Sequence, residues 1–162
     1  MRDYMAFEGH ARGACEIHFT KSAAKKKDLA EAMAKYRQRG QLNPPAVRYE
    51  QPVYFKCNRM SVIGHNEEII YPSLTRELDY ELELAFITGQ KGKDISQADG
   101  HNFIFGYTIF NDISTRDAQI TEMRGQLRSA EGKDFDTGNF LGPCIVTADE
   151  IGDANDLVCA PS

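Results

Sequence analysis

The chain has 162 residues, of which 41% are hydrophobic and 27% charged, and its formal net charge is −5. This length suits one domain with a hydrophobic core, and the composition is typical of a globular rather than a disordered protein. Nucleic-acid binding needs a sustained basic face, but the one dense basic run is Lys25-Lys26-Lys27. We therefore expect no nucleic-acid partner.

The cysteines and the apolar segments bear on the location of the protein. Cys15, Cys57, Cys144 and Cys159 are far apart and form no CxxC pair, which is typical of reduced thiols. No stretch of the sequence approaches the ~18 apolar residues of a membrane span. The N-terminus also lacks the apolar region of a secretory signal. These features predict a cytoplasmic protein without a membrane partner.

The first half of the chain is predicted to contain one helix and two strand regions. Residues 22–39 are rich in strong helix formers, and Gly40 is suited to end the helix. The proline-rich residues 43–52 predict an extended connector. Residues 53–58 predict a strand, and residues 62–72 predict another with an internal turn.

The sequence LDYELELAF, residues 78–86, predicts a strand with an unusual acidic row. Alternate side chains on a strand point to opposite faces. One face then carries Asp79, Glu81, Glu83, Ala85 and Ile87, and the other carries Tyr80, Leu82, Leu84 and Phe86. Because the acidic row ends in apolar residues, we expect both faces to be buried at the far end. The repulsion between the carboxylates then needs compensation.

The second half is predicted to alternate strands with two short helices. A polar hairpin loop at 88–94 precedes an apolar strand ending at Asp112, and residues 135–147 predict a further strand. Ser96 with Asp99, and Ser114 with Asp117, have the spacing of helix-capping pairs, so helices are expected after Ser96 and over 114–124. The pattern predicts a mostly β, α+β domain.

Three carboxylates on strands of one sheet predict a site for a hard divalent cation. Glu81, Glu83 and Asp112 supply only oxygen ligands, which favours Mg²⁺, Mn²⁺ or Ca²⁺ over Zn²⁺. The alternative is a charged strand edge whose acids pair with cations of this chain. The candidate partners are Arg76, Arg116 and Lys133.

Four further side chains are candidates for contact with a substrate. Arg116 and Gln119 share a helix face, where an arginine fork suits a carboxylate; the alternative is a salt bridge from Arg116 to Asp112 or Asp117. Lys133 suits stabilisation of negative charge on a substrate oxygen, or is a surface lysine. His10, flanked by glycines, suits a mobile base or a surface histidine.

In combination, these motifs resemble the fumarylacetoacetate hydrolase family. The sequences LDYELELAF, GYTIFNDISTRDAQ and GKDFD…FLGPCIVTADEI match in order and spacing over residues 53–151. The resemblance implies a mixed β-roll and a homodimer. It also implies an enzyme that uses Mg²⁺ or a similar ion to act on 2-oxo acids or 1,3-diketones.

The resemblance assigns roles to single residues. It makes Glu81, Glu83 and Asp112 metal ligands, places Arg116 and Gln119 at substrate-contact positions, and places Lys133 near the metal. His10 becomes the base, and Asp3 matches a further ligand found in one branch of the family. A glutamate that often assists the histidine is replaced here by Gly13, which leaves Glu8 or Glu16 as substitutes.

The same resemblance suggests how the chain is organised and what it does. Residues 1–50 would form an N-terminal lid or helical segment, and residues 51–162 a partial catalytic β-roll that is incomplete at its C-terminus. The expected activity is hydrolysis of a C–C bond in an acylpyruvate or other diketo acid through a metal-stabilised enolate. The alternatives are an oxaloacetate decarboxylase or tautomerase, a 2-oxo acid isomerase, and a non-catalytic truncated remnant.

Overall fold

A computed structural model describes residues 1–126 and 129–158. The chain divides into two compact units, Met1–Lys56 and Cys57–Ser162. Cys15 and Cys144 are free thiols, Cys57 is buried, and Cys159 lies outside the described residues. Among the described helices, none is both long enough and apolar enough to cross a membrane. The assignment of a lid over 1–50 and a catalytic domain over 51–162 stays a prediction.

The first unit contains a strand pair and three helices. Strands β1 and β2 pair antiparallel, and helices α1 and α2 contact each other through the rings of Phe19 and Tyr36, whose centroids lie 4.8 Å apart. The elements are β1 (Asp3–Tyr4), α1 (Glu8–Ala23), α2 (Leu29–Gln38), α3 (Val47–Glu50) and β2 (Tyr54–Phe55).

Two predictions for this unit were wrong, and one helix was missed. The helix expected over 22–39 begins only at Leu29, because the Asp28 carboxylate accepts the Glu31 N–H at 3.0 Å and caps the helix there. The connector over 43–52 contains the short helix α3. Helix α1 was not predicted, since Gly9 and Gly13 inside it each disfavour a helix by about 1 kcal/mol relative to alanine.

The second unit is built on a four-stranded mixed sheet in the order β3-β8-β6-β5. Strand β3 is parallel to β8, and the other neighbours are antiparallel. The elements are β3 (Val62–Ile63), β4 (Leu78–Asp79), β5 (Leu82–Thr88), β6 (Ile104–Asp112), β7 (Ser114–Thr115), α4 (Arg116–Arg124), β8 (Asn139–Thr147) and α5 (Ala148–Ile151).

The strand predicted over 78–86 is divided by a break at Tyr80 and Glu81. Before the break, β4 pairs with β7; after it, β5 pairs with β6. Glu83 lies opposite Phe110, so the acidic row shares the sheet face of that buried phenylalanine. The expectation that both faces are buried at the far end was wrong, because Phe86 on the other face is 53% exposed.

The remaining predictions for this unit were confirmed in part. The strand ending at Asp112 and the strand within 135–147 are both present, but residues 67–72 form no strand. Ser96 and Asp99 bond to each other and precede a 3₁₀ turn over Gly100–Phe103 rather than an α-helix. The helix expected from Ser114 begins at Arg116, because Ser114 pairs with β4.

The α+β class with a mixed sheet is confirmed. Helices take about 34% of the described residues and strands about 22%. Five of the eight described strands are only two residues long, which keeps the strand content low. Strand β6 and helix α4 follow each other closely along the chain and, together with the loop before β8, carry most of the candidate site.

Candidate functional site

The structure brings the three predicted carboxylates together at one end of the β5–β6 pair. Asp112 ends β6, is fully buried, and donates its backbone N–H to the Glu81 carbonyl oxygen at 3.1 Å. Glu83 is on the same sheet face, and one of its carboxylate oxygens lies within 4.8 Å of a carboxylate oxygen of Asp112. The break before Leu82 leaves Glu81 outside the ladder and next to Asp112.

Lys133 lies among these acids and is only 5% exposed. Its ammonium group donates to Glu81 Oε2 at 2.6 Å and also to Asp112 Oδ2. The alternative that it is a surface lysine was therefore wrong. The Thr115 N–H donates to the Gly132 carbonyl oxygen at 2.8 Å, which fixes the residue before Lys133 beside the end of β7.

The pairing of Arg116 with an acid of the strand edge, expected as the alternative to a cation site, is confirmed. The Arg116 guanidinium donates to Glu81 Oε1 at 2.5 Å and to Asp79 Oδ2 at 2.8 Å. It also donates to Gln119 Oε1 at 3.2 Å, so the predicted shared helix face is confirmed. The salt bridge expected to Asp112 or Asp117 was wrong, since Asp117 accepts the Thr75 hydroxyl and the Arg76 N–H instead.

The electrostatics keep these groups charged. Burial alone would raise the pKa of Glu81, but the nearby Lys133 and Arg116 outweigh it and hold that pKa below its ordinary value. Burial would lower the pKa of Lys133, but Asp112 and Glu81 raise it above the usual range. Burial opposes the charge of Arg116 as well, and Glu81 with Asp79 raises its pKa. The two cations and Glu81 therefore stabilise one another's ionised forms.

The donor set fits a hard divalent cation. Asp79, Glu81, Glu83 and Asp112 carry four formal negative charges, and Arg116 and Lys133 carry two positive ones. These six side chains sum to −2, which a divalent ion would neutralise. All of the acidic ligand atoms are carboxylate oxygens, the type that Mg²⁺, Mn²⁺ and Ca²⁺ prefer.

Three residues near this cluster were missed by the sequence analysis. Asn139 lies opposite Asp112 in the β6–β8 register, is fully buried, and donates from Nδ2 to Ser61 Oγ at 2.5 Å. Asp134 accepts the Asn58 N–H at 2.6 Å. Glu122 accepts three backbone N–H groups just before Lys133. Only the long-range pairing reveals these roles, because even the motif GKDFD, which contains Asp134, does not indicate its bond to Asn58.

The residues expected from the N-terminal part of the chain belong to the first unit. His10 is exposed in the first turn of α1, and Asp3 lies in β1. Glu8 forms an ion pair with Arg12 one turn further along α1. The roles of His10 as base and of Asp3 as a further ligand stay predictions.

Comparison with known proteins agrees with the motifs. Oxaloacetate tautomerase fahd2, mitochondrial, from Xenopus laevis is 39% identical over 108 residues, which are 67% of this chain and 33% of that protein. The chain thus spans about a third of the length of this curated relative.

Two solved structures are similar to the described fold. Fumarylpyruvate hydrolase from Pseudomonas aeruginosa, in complex with Mn²⁺ and pyruvate, aligns with a TM-score of 0.60 and 28% identity over 72% of this chain and 50% of that one. For 5-carboxymethyl-2-hydroxymuconate delta-isomerase from Mycobacterium smegmatis the TM-score is 0.54 and the identity 37%, over 60% and 37% of the two chains.

A family model also covers most of the sequence. The model for the fumarylacetoacetate (FAA) hydrolase C-terminal domain matches residues 21–160, a range that includes the acidic row of β5, the end of β6, helix α4 and Lys133. The motifs noted from the sequence therefore fall inside the matched range and in the cluster that the fold assembles. The chain belongs to the fumarylacetoacetate hydrolase family.

Proposed function

We propose that this chain forms part of a metal-dependent enzyme that hydrolyses a C–C bond in an acylpyruvate or a related diketo acid. The observation that carries the proposal is the cluster of Glu81, Glu83 and Asp112 with the buried Lys133 bonded to two of them. A structural ion pair alone needs one acid for each cation. Here Arg116 and Lys133 pair with Asp79, Glu81 and Asp112, and Glu83 adds a fourth acid beside Asp112.

The proposed cofactor is Mg²⁺, with Mn²⁺ or Ca²⁺ as other ions of the same class, held by Glu81, Glu83 and Asp112. When bound, such an ion acts as a Lewis acid that polarises the oxygens of a substrate. The Mn²⁺ in the similar fumarylpyruvate hydrolase structure supports the choice of a divalent cation.

The chain's own side chains supply the rest of the chemistry. In hydrolysis, His10 is the proposed base that takes a proton from water, whose oxygen attacks the distal carbonyl carbon. The C–C bond then breaks, its electron pair leaves negative charge on the keto oxygen of the pyruvate part, and a proton returns to carbon. Lys133, whose raised pKa keeps it charged, is proposed to stabilise that negative charge.

Arg116 is proposed to orient the Glu81 carboxylate, and Gln119 is proposed to orient the substrate. Arg116 holds Glu81 and Asp79, so its first effect is to fix the Glu81 carboxylate. Gln119 accepts a hydrogen bond from Arg116 through Oε1, which leaves its Nε2 amide as the donor for a substrate carboxylate.

A second candidate activity is tautomerisation or decarboxylation of oxaloacetate, or isomerisation of another 2-oxo acid. It is favoured by the 39% identity to a relative named as an oxaloacetate tautomerase. Tautomerisation needs only proton transfer next to the keto group, with no attack by water. Lys133 would play the same part in both reactions.

Assembly and location complete the proposal. We propose a homodimer that binds a small 2-oxo or diketo acid, and a cytoplasmic location that suits widely spaced cysteines without a CxxC pair. The frog relative is named as mitochondrial, so cell fractionation with an antibody against this chain decides the compartment.

The first test of the proposal measures cation and ligand binding without turnover. Thermal melts are recorded in EDTA, in Mg²⁺ or Mn²⁺, and in the same ion with oxalate, a planar dianion similar to the enolate of pyruvate. A ligand that binds only the folded state raises the Tm. We expect a rise with the ion and a further rise with oxalate, both reduced in Glu83→Gln and kept in the exposed control Glu68→Gln.

The second test separates the two candidate reactions. Acetylpyruvate and oxaloacetate are incubated with the ion-loaded protein, and cleavage, decarboxylation and keto–enol exchange are followed by NMR. Cleavage of acetylpyruvate supports the hydrolase, whereas exchange of oxaloacetate alone supports the tautomerase. A folded, ion-loaded protein that turns over no 2-oxo acid would identify a non-catalytic remnant.

A further inference from the structure

We infer that Glu122 is the positioning residue of Lys133. Glu122 lies in α4, and its carboxylate accepts three consecutive backbone N–H groups. Oε1 accepts from Ala130 at 2.8 Å and from Glu131 at 2.9 Å, and Oε2 accepts from Gly132 at 2.9 Å. Hydrogen bonds to a charged acceptor are about twice as strong as neutral ones. One side chain therefore holds the segment that leads directly into Lys133.

The same segment is held from its other side. The Gly132 carbonyl oxygen accepts the Thr115 N–H at 2.8 Å and the Thr115 hydroxyl at 3.2 Å. A Cβ on Gly132 would lie 2.9 Å from the Gln119 backbone, so the glycine packs directly against α4. With its backbone fixed in this way, Lys133 reaches both Glu81 and Asp112.

Helix α4 consequently determines the positions of both cations that bind Glu81. Arg116, in the first turn of α4, bonds to Glu81 through its own side chain. Glu122, six residues further along, acts on Lys133 through the backbone of residues 130–132. Loss of Glu122 should thus displace Lys133 while Arg116 keeps its bonds to Glu81 and Asp79.

The experiment compares Glu122→Gln and Glu122→Ala with the control Glu131→Gln. Glutamine keeps one acceptor oxygen and places an amide NH₂ against a backbone N–H. The control makes the same charge change at an exposed side chain in the same segment. The rate of acetylation of Lys133 by acetic anhydride is measured by peptide mass spectrometry, relative to the exposed Lys91. No substrate is needed.

We expect Lys133 to be acetylated about tenfold faster in both Glu122 variants, since losing charge-assisted hydrogen bonds opens the segment locally. The control should match the wild type, and amide exchange in β6 should not change, which excludes global loosening. Glu122→Gln keeps the experiment decisive if Glu122→Ala fails to fold. Wild-type acetylation of Lys133 in both variants would overturn the inference.

The catalytic consequence rests on the proposed function and is measured separately. Turnover of a 2-oxo acid should show a lower kcat with little change in KM in Glu122→Gln. Adding this change to Lys133→Met should cause no further loss of kcat, because both changes remove the same ammonium position. If Lys133 is acetylated faster in the Glu122 variants but the wild type turns over no 2-oxo acid, the proposed function is contradicted and the positioning role is intact. If the losses of kcat from Glu122→Gln and Lys133→Met are additive, action through Lys133 is contradicted.

Discussion

Lys133 is a buried charge that depends on two acids. Its ammonium group bonds to Glu81 and to Asp112, and the Asp112 side chain is itself fully buried. Moving an ion out of water costs several kcal/mol unless its partners are well placed. The dependence is mutual, because without the ammonium group the two carboxylates would face each other with like charge.

Replacing Lys133 by methionine should therefore destabilise the protein strongly. The methionine has similar length but leaves Glu81 and Asp112 without their shared cation. Removing one partner of a buried ion pair costs about 3–5 kcal/mol. We expect the free energy of unfolding, measured by urea denaturation at neutral pH in EDTA, to fall by that amount. The exposed control Lys91→Met should stay within about 0.5 kcal/mol of the wild type, and equal loss in both variants would contradict the argument.

The residue types at this site could be predicted from the sequence, but most of their partners could not. Glu81, Glu83 and Asp112 were identified because acids in apolar strands are uncommon. The sequence favoured an exposed Lys133, since its burial depends on contacts with acids 21 and 52 residues away. Such contacts leave no local pattern. For the same reason the bond from Arg116 to Asp79 was missed, and the salt bridge expected to Asp112 or Asp117 was wrong.

Helix α4 is tied to the chain before β4 by Asp117. The Asp117 carboxylate accepts the Thr75 hydroxyl, and it accepts the Arg76 N–H at 3.0 Å. These bonds hold the pKa of Asp117 below its ordinary value. The Arg116 N–H reinforces the connection by donating to the Glu77 carbonyl oxygen at 2.8 Å. The start of α4, and with it the Arg116 side chain, is thereby fixed.

The stabilisation from Asp117 should depend on pH. Because the folded-state pKa is lowered, the contribution is complete above the unfolded pKa of about 4 and is lost as the pH falls through the folded value. We expect Asp117→Asn to lower the urea midpoint at pH 6, with the gap to the wild type closing below about pH 4. The exposed Asp156→Asn serves as control. A gap that stays constant into the acid range would argue against the ionised carboxylate.

The contact between α4 and the segment before Lys133 requires glycine at position 132. An ideal Cβ there would lie 2.9 Å from both the Cα and the N of Gln119, and backbone atoms of a helix cannot move aside cheaply. We expect Gly132→Ala to cost about 1–3 kcal/mol of stability, as other overpacked sites do. Gly100→Ala, where a Cβ would meet no atom within 4 Å, is the matched control. Equal urea midpoints for both variants would show that the segment relaxes freely.

The elements themselves were predictable where local signals are strong. Strand β6 was predicted from a long apolar run, and helix α4 from the capping spacing of Ser114 and Asp117. The break between β4 and β5 was missed, because it is caused by pairing with two different partners, β7 and β6. A continuous alternating pattern carries no mark of such a change. Long-range pairing thus decided what local sequence left open.

In the second unit, buried polar side chains lie on one face of the four-stranded sheet, and a row of exposed apolar side chains lies on the other. Asp112, Lys133 and Asn139 are buried. On the opposite face, Phe86, Phe105 and Ile109 are 53%, 52% and 45% exposed. The register places Phe86 beside Tyr107, between Phe105 and Ile109 on β6, so the exposed side chains are contiguous. Contiguous apolar patches of this kind mark interaction surfaces in soluble proteins.

We expect this apolar sheet face to support the proposed homodimer. Sedimentation velocity should show association that increases with protein concentration and with sulfate, which strengthens apolar burial. Replacing Phe86 and Ile109 together by threonine keeps a strand-forming side chain but removes apolar area, so the dimer should weaken by about tenfold or more. Ile70→Thr, at an exposed isoleucine outside the sheet, is the control. A wild-type chain that is monomeric at every concentration would contradict the homodimer, whereas a dimer unaffected by the double change would place the subunit contact elsewhere.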